Sequence, residues 1–182
     1  LYEAIDHNVV CIRGTTKDKI SWFANFYAAM IPAQGKLQLN DSTFFDYHFA
    51  DNPLAAVHVG WTLSSCYLLQ DILPKVQQQY AKGITDFIIF GHSQGAAISY
   101  YITAQLKYYQ QTGILPKDIK FKTYCSAAPK PGNLFFAYDY EAATQFGWSQ
   151  TVVNAADWVP EVPISIQKLN DFNTTNPFKN AR

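Results

Sequence analysis

Short apolar runs alternate with longer stretches of helical periodicity along this chain. The apolar runs at residues 8–13, 86–90, 121–126 and 151–154 predict buried strands. Apolar positions spaced three and four residues apart predict helices at residues 17–30, 60–80 and 133–146, and a further helix that follows residue 93 and ends near residue 112. Because strands and helices alternate, we expect an α/β protein with a mostly parallel central sheet and helices on both faces.

Three segments depart from this simple alternation. Residues 34–52 are polar with aromatic interruptions, which predicts a hairpin or an irregular connection. Pro74 falls inside the helix at residues 60–80, and we expect it to kink or split that helix near residues 70–73, because proline removes one backbone hydrogen bond. Beyond Pro163 the chain becomes polar and lacks a strong pattern, which predicts a loop.

Composition narrows the class of protein further. The chain has 182 residues, of which 48% are hydrophobic and 16% aromatic, enough for one well-packed core. We therefore expect a single domain over residues 1–182, incomplete at both ends. Lys and Arg number 14 and so do Asp and Glu, giving a formal net charge of zero and no basic tract of the kind that binds nucleic acid. No apolar run is long enough for a transmembrane segment.

The three cysteines leave the redox compartment open. Cys11, Cys66 and Cys125 are odd in number, and each lies in an apolar element. We expect buried free thiols that pack as small hydrophobic side chains.

The segment Gly91-His92-Ser93-Gln94-Gly95 follows one of the predicted strands and opens a helix. A serine flanked by glycines two positions away is typical of a nucleophile elbow, the strained turn that presents a reactive serine. Glycine suits these positions because the backbone approaches closely there. The alternative is an ordinary strand–turn–helix in which the serine only caps the helix.

Candidate chemistry gathers where the predicted strands end. Thr15, Ser93 and Asp157 each follow a strand, and the carboxyl ends of parallel strands share one edge of the sheet. Ser93 would attack an acyl carbonyl. The backbone N–H groups of Gln94 and Thr15 would stabilise the resulting oxyanion, with the Thr15 hydroxyl as a further donor. Taken alone, Thr15 also fits an ordinary turn residue or helix cap.

Asp157 would orient a catalytic histidine, although an aspartate that caps a turn fits its position as well. In hydrolases with this elbow the histidine follows the aspartate in the chain. All four histidines, however, precede Ser93: they are His7, His48, His58 and His92. We expect His58 to be a hydrogen-bonded structural residue and His92 to point away from Ser93 as packing support. A triad histidine is therefore not found in residues 1–182.

Five motifs occur in order over nearly the whole chain. They are Ile12-Arg13-Gly14-Thr15 with Trp22, Val57-His58-Val59-Gly60-Trp61, Gly91-His92-Ser93-Gln94-Gly95-Ala96, Ala128-Pro129-Lys130-Pro131-Gly132-Asn133 with Phe136-Ala137, and Val153-Asn154-Ala155-Ala156-Asp157-Trp158-Val159-Pro160-Glu161-Val162-Pro163. Together they resemble the class-three, fungal-lipase-like family of α/β-hydrolases. The chain departs from the family pattern at Ser126-Ala127-Ala128-Pro129, where a glycine is usual, and in lacking the histidine that follows the D-x-V-P turn.

The resemblance implies a serine carboxylester hydrolase without metal or cofactor. Ser93 and Asp157 would be catalytic, and Thr15 and Gln94 would form the oxyanion hole. Trp22 and Phe23 would belong to an amphipathic lid at residues 17–30, for which a helix packed on the core is the alternative. The resemblance also implies a lipid or ester substrate, met in some members at a lipid–water interface, and a secreted or extracytoplasmic location.

The most specific hypothesis is a triacylglycerol lipase that forms an acyl-enzyme on Ser93. Two alternatives stay open. One is an esterase for small or aryl esters, which would not respond to an interface. The other is a lipase-like domain without catalytic activity, which would lack the base that activates the serine.

Overall fold

The computed structural model describes residues 1–4, 7–145 and 147–163. In chain order the strands and helices are β1 (Tyr2–Glu3), β2 (Asn8–Ile12), α1 (Lys19–Phe26), β3 (Met30–Pro32), β4 (Gln34–Gln38), β5 (Phe44–His48), β6 (Ala56–His58), α2 (Val59–Ala81), β7 (Asp86–His92), α3 (Gln94–Gln111), β8 (Lys120–Ser126), α4 (Leu134–Ala143), β9 (Ser149–Val152) and a 3-10 helix (Val159–Glu161). The predicted loop beyond Pro163 lies outside the described residues.

The central sheet has five strands in the order β1-β2-β7-β8-β9. β1 is antiparallel to β2, and the other neighbouring pairs are parallel. The mostly parallel α/β architecture predicted from the sequence is therefore confirmed. β1 was not predicted, because two residues are too few to show a periodic pattern.

Helix α3 lies at the centre of the hydrophobic core. It packs on β2, β7 and β8, and α2 and α4 pack against it in turn. Alternate side chains of β7, such as Phe87 and Ile89, are fully buried beneath it, as are Tyr101 and Ile102 of the helix itself. Side chains on the opposite face of β7 and β8 are half-buried or exposed. Packing thus holds α3, the helix that follows the predicted elbow, along most of its length.

The segment between β2 and β7 adds two small sheets. β4 and β5 form the predicted hairpin within residues 34–52. β3 pairs with β6 in a second antiparallel ladder. Helix α2 follows and runs unbroken through Pro74, so the predicted split does not occur. None of the helices in the described ranges combines the length and the apolar character needed to cross a bilayer.

Two burial predictions were wrong, one because of a strand's edge position and one because of side-chain register. The final strand, β9, lies at the sheet edge and is largely exposed rather than buried. Cys11 is exposed, because successive side chains of β2 point to opposite faces of the sheet. Cys66 and Cys125 are buried and free, as expected.

Candidate active site

Ser93 occupies a strained turn between β7 and α3. Its backbone has φ 56° and ψ −127°, a region that side-chain-bearing residues seldom adopt and that costs about 1–3 kcal/mol. The Ser93 N–H donates to the Ser126 carbonyl at 2.9 Å, and the Ser93 carbonyl accepts from Ala96 N at 2.9 Å and from Ala97 N at 3.2 Å. Its side chain makes no capping hydrogen bond to α3, whose residues are all described. The strand–turn–helix elbow is therefore present. Ser93 occupies the N-cap position of α3, but its hydroxyl does not cap the helix.

The flanking glycines are required by close backbone contact. A Cβ on Gly91 would lie 2.3 Å from the Gly95 carbonyl oxygen, and a Cβ on Gly95 would lie 2.2 Å from the Ile12 carbonyl oxygen. Backbone atoms at these distances cannot move aside without shifting a strand or a helix. The two glycines thus allow α3 to start directly against β2 and β7.

Substituting alanine for Gly95 should therefore destabilise the fold. We expect Gly95→Ala to lower the free energy of unfolding by about 3 kcal/mol, because the new methyl group overlaps backbone rather than a movable side chain. Chemical denaturation would measure this loss. Gly35→Ala is the matched control: its Cβ would meet only the Tyr47 side chain, with the hydroxyl at 3.1 Å, and should cost less than about 1 kcal/mol. Equal losses in both variants would contradict the steric explanation.

The turn after β2 passes directly beside the elbow. Ile12 pairs with Gly91 in the parallel ladder, so both strands end at the same level. A Cβ on Gly14 would lie 2.9 Å from the His92 carbonyl oxygen and 3.6 Å from the Ser93 Cβ. Thr15, the next residue, is half-buried at this edge. The structure therefore brings the Gly14-Thr15 turn to the candidate nucleophile.

Gln94 begins α3, where backbone N–H groups lack partners within the helix and carry partial positive charge. Its side chain is 6% exposed. The buried amide is paired with Ser21 of α1: Ser21 Oγ donates to Gln94 Oε1 at 2.9 Å, and Gln94 Nε2 donates to the Ser21 carbonyl at 2.8 Å. The second candidate oxyanion residue is thus fixed by α1.

Asn25 makes a similar link between α1 and Thr15. Its Nδ2 donates to Thr15 Oγ1 at 2.9 Å, and its Oδ1 accepts from Trp61 Nε1 at 3.0 Å. Sequence reasoning missed both Ser21 and Asn25. Their spacing of four residues, which places two polar side chains on one face of an otherwise aromatic helix, was the available signal.

Helix α1 turns its aromatic side chains to solvent. Trp22 and Phe23 are 49% and 63% exposed, and they stack on Phe26 and Tyr27 of the next turn at centroid distances of 5.9 and 5.5 Å. None of the α1 residues is buried. The predicted surface helix is therefore confirmed. Because α1 also packs against α2, the choice between a lid that carries Trp22 and Phe23 and a helix packed on the core stays open.

Asp157 lies in the turn that follows β9. β7, β8 and β9 are parallel neighbours, so this turn leaves the same edge of the sheet as Ser93. The half-buried Asp157 accepts the Val159 N–H at 3.0 Å through Oδ1, and its own N–H donates to the Asn154 carbonyl at 2.9 Å. These bonds fit the turn-capping interpretation and leave its catalytic role a prediction.

His58 is a hydrogen-bonded structural residue, as predicted. It is fully buried and stacks on Trp61 at a centroid distance of 3.7 Å. Its Nε2 donates to the Asn25 carbonyl at 3.1 Å, and its Nδ1 accepts the Trp61 N–H at 3.4 Å. Burial lowers the pKa of this imidazole to about 4, so the ring is neutral near pH 7.

The other three histidines do not bond the Ser93 hydroxyl: two hydrogen-bond other residues, and the third lies far from Ser93. His92 is exposed, so the predicted packing role is wrong, and its Nδ1 forms a 2.9 Å hydrogen bond with Ser126 Oγ. His48 bonds Asp51 at 2.6 Å and stacks on Tyr108. His7 precedes β2 and so lies at the amino-terminal ends of the parallel strands, whereas Ser93 lies at their carboxyl-terminal ends. The described residues thus assemble Ser93, Gln94 and Thr15, with Asp157 at the same edge.

Solved structures share this fold. The crystal structure of M37 lipase is 22% identical with a TM-score of 0.61, and the match covers 92% of this chain and 48% of that chain. A fungal lipase in complex with an inhibitor is 20% identical with a TM-score of 0.59, covering 82% of this chain and 49% of that chain. At these identities the likeness establishes the α/β-hydrolase fold.

Two lipases from Malassezia globosa resemble part of the chain in sequence. The secreted mono- and diacylglycerol lipase MDL2 is 32% identical over 99 residues, which are 53% of this chain and 30% of the relative. The secreted mono- and diacylglycerol lipase MDL4 is 29% identical over 115 residues, which are 62% of this chain and 35% of the relative. The matched segments thus span about a third of these curated relatives. The profile of the family described as Lipase (class 3) matches residues 9–166, and this chain belongs to that family.

Proposed function

We propose that this chain carries the acyl-transfer centre of a serine carboxylester hydrolase that acts on acylglycerols. Ser93 is the nucleophile, the backbone N–H groups of Gln94 and Thr15 form the oxyanion hole, and Asp157 is the triad carboxylate. Membership of the class 3 lipase family supports this assignment. The observation that carries it is the strained Ser93 turn with the Gly14-Thr15 turn beside it.

The proposed reaction begins when Ser93 Oγ attacks the ester carbonyl. A histidine base takes the hydroxyl proton, and the carbonyl oxygen gains negative charge. The N–H of Gln94, in the first turn of α3, donates to that oxygen in the proposed reaction, and the helix dipole adds to the attraction. One such donor is worth about 3–4 kcal/mol of the barrier. Loss of the alcohol leaves an acyl-enzyme on Ser93, which water then hydrolyses.

None of the histidines within the described residues is assigned as the base. His48 stacks on Tyr108, which lies fifteen residues beyond Ser93 and so about 20 Å along α3. His58 is buried with both ring nitrogens engaged, and His7 lies at the far edge of the sheet. We propose that Asp157, at the shared strand edge, orients a histidine from elsewhere in the whole protein.

A lipid substrate suits the aromatic surface of α1. Ile20, Phe23 and Phe26 are 77%, 63% and 76% exposed, close to the proposed oxyanion hole. Moving these three apolar side chains from water into a lipid phase is favourable, by about 1.5–3 kcal/mol for each one that becomes fully buried. The Malassezia relatives are named as secreted enzymes that act on mono- and diacylglycerols. We therefore propose that the whole protein is secreted and works at a lipid–water interface.

The interface proposal can be tested on a short-chain triacylglycerol raised through its solubility limit. We expect the wild-type rate to rise sharply once droplets form. In Ile20→Ser/Phe26→Ser the ratio of the rate on droplets to the rate on dissolved substrate should fall about 10- to 100-fold, because two apolar side chains no longer enter the lipid phase.

Tyr138→Ser is the matched control, since Tyr138 is an aromatic residue of α4 that is 60% exposed. Its ratio should equal that of the wild type. A wild-type rate that shows no rise at the solubility limit would contradict the interface proposal and favour the esterase for dissolved esters.

A further inference from the structure

The two proposed oxyanion donors come from chain segments that are distant in sequence. Thr15 follows β2, whereas Gln94 opens α3 after β7. Pairing of β2 with β7 aligns the strands, but Thr15 lies three residues beyond the last paired residue, Ile12. The distance between the two donors therefore depends on contacts beyond the sheet.

Ser21 supplies such a contact. Its hydroxyl accepts the Thr16 N–H at 3.1 Å and donates to Gln94 Oε1 at 2.9 Å. The Gln94 amide returns a hydrogen bond to the Ser21 carbonyl at 2.8 Å. A single half-buried side chain thus joins the residue directly after Thr15 to the residue directly after Ser93.

We propose that Ser21 is a positioning residue that sets the separation of the two oxyanion-hole N–H groups. The proposal rests on the function proposed above. Ser21 acts through Thr16 and Gln94 rather than by contact with the substrate. Its hydrogen bonds lie within the protein before the reaction begins, so they hold the donors where charge develops in the transition state. Loss of the hydroxyl should therefore slow the chemical step and leave substrate binding little changed.

The test compares two β-branched replacements of nearly equal size. Ser21→Thr keeps the hydroxyl, and Ser21→Val removes it. We expect Ser21→Val to lower kcat about 10- to 100-fold with KM within about twofold of wild type, as a displaced catalytic donor would. Ser21→Thr should restore most of kcat. Ser64→Ala controls for the loss of a helix hydroxyl, since Ser64 Oγ donates to the Gly60 carbonyl in α2, and it should match wild type.

A second variant changes the other partner of the same hydrogen bond, Gln94. Gln94→Met removes the amide but keeps the backbone N–H and the side-chain length. We expect it to lower kcat about as much as Ser21→Val does. The double variant should lose clearly less than the product of the two single losses, because the bond from the Ser21 hydroxyl to Gln94 is removed by both changes. Additive losses would overturn the proposal and would give the two residues separate structural roles.

Labelling by a fluorophosphonate separates failure of this inference from failure of the proposed function. Wild-type protein that the reagent does not modify would overturn the proposed function and this inference with it. Wild type that is modified, beside a Ser21→Val variant with unchanged kcat, would overturn the inference alone. A kcat loss that Ser21→Thr does not restore would have the same meaning.

Discussion

Replacing Ser93 with alanine should lower the rate of ester hydrolysis by about 10⁵- to 10⁶-fold, as loss of the nucleophile does in serine hydrolases. The change removes one oxygen atom. The elbow itself should persist, because the Ser93 N–H bond to the Ser126 carbonyl and the bonds from Ala96 N and Ala97 N involve only backbone. The free energy of unfolding should accordingly change by less than about 1 kcal/mol.

Steady-state kinetics of the whole protein, with denaturation measured on the same samples, would check this expectation. Ser64→Ala is again the control, as a serine of α2 that lies outside the proposed site. A Ser93→Ala variant that retains more than about a hundredth of the wild-type rate would contradict a covalent role for this serine.

Replacing Asp157 with asparagine should lower the rate by about 10⁴-fold, the loss seen when a triad aspartate becomes neutral. Asp157 Oδ1 accepts the Val159 N–H at 3.0 Å, and the asparagine side chain retains an equivalent oxygen. The turn after β9 should therefore keep its hydrogen bond, and unfolding should shift by less than about 1 kcal/mol. A loss of activity with an unchanged free energy of unfolding would therefore distinguish the catalytic role of Asp157 from its capping role.

Asp139→Asn provides the matched control. Asp139 is also half-buried and also accepts a backbone N–H, from Asn52 at 2.7 Å, but it belongs to α4. The rate of this variant should equal that of wild type. If Asp157→Asn lowered the rate less than about tenfold, Asp157 would be a structural cap and the carboxylate of the triad would have to come from another residue.

The elbow could be predicted because its constraints are local. Gly91 and Gly95 lie two residues from Ser93, and the sequence alone shows that small residues occupy the positions where backbone crowds. The position of Thr15 followed from the end of an apolar run. Parallel strands that end together then brought Thr15 beside Ser93.

The contacts of α1 could not be predicted, because they depend on where a surface helix docks. The pattern of residues 17–30 indicates an amphipathic helix, but it does not say which residue its polar face meets. Ser21 meets Gln94 across 73 positions of sequence. The exposure of Cys11 and of β9 was missed for a related reason, since register and edge position are properties of the assembled sheet.

The central claim is that Ser93 is a reactive nucleophile, and fluorophosphonate labelling of the whole protein followed by peptide mass mapping tests it most directly. The proposed function predicts one adduct, located on Ser93, that is absent from Ser93→Ala and present in Ser64→Ala. Absence of an adduct from the wild type, or equal labelling of Ser93→Ala, would contradict the claim and favour a lipase-like domain without catalytic activity.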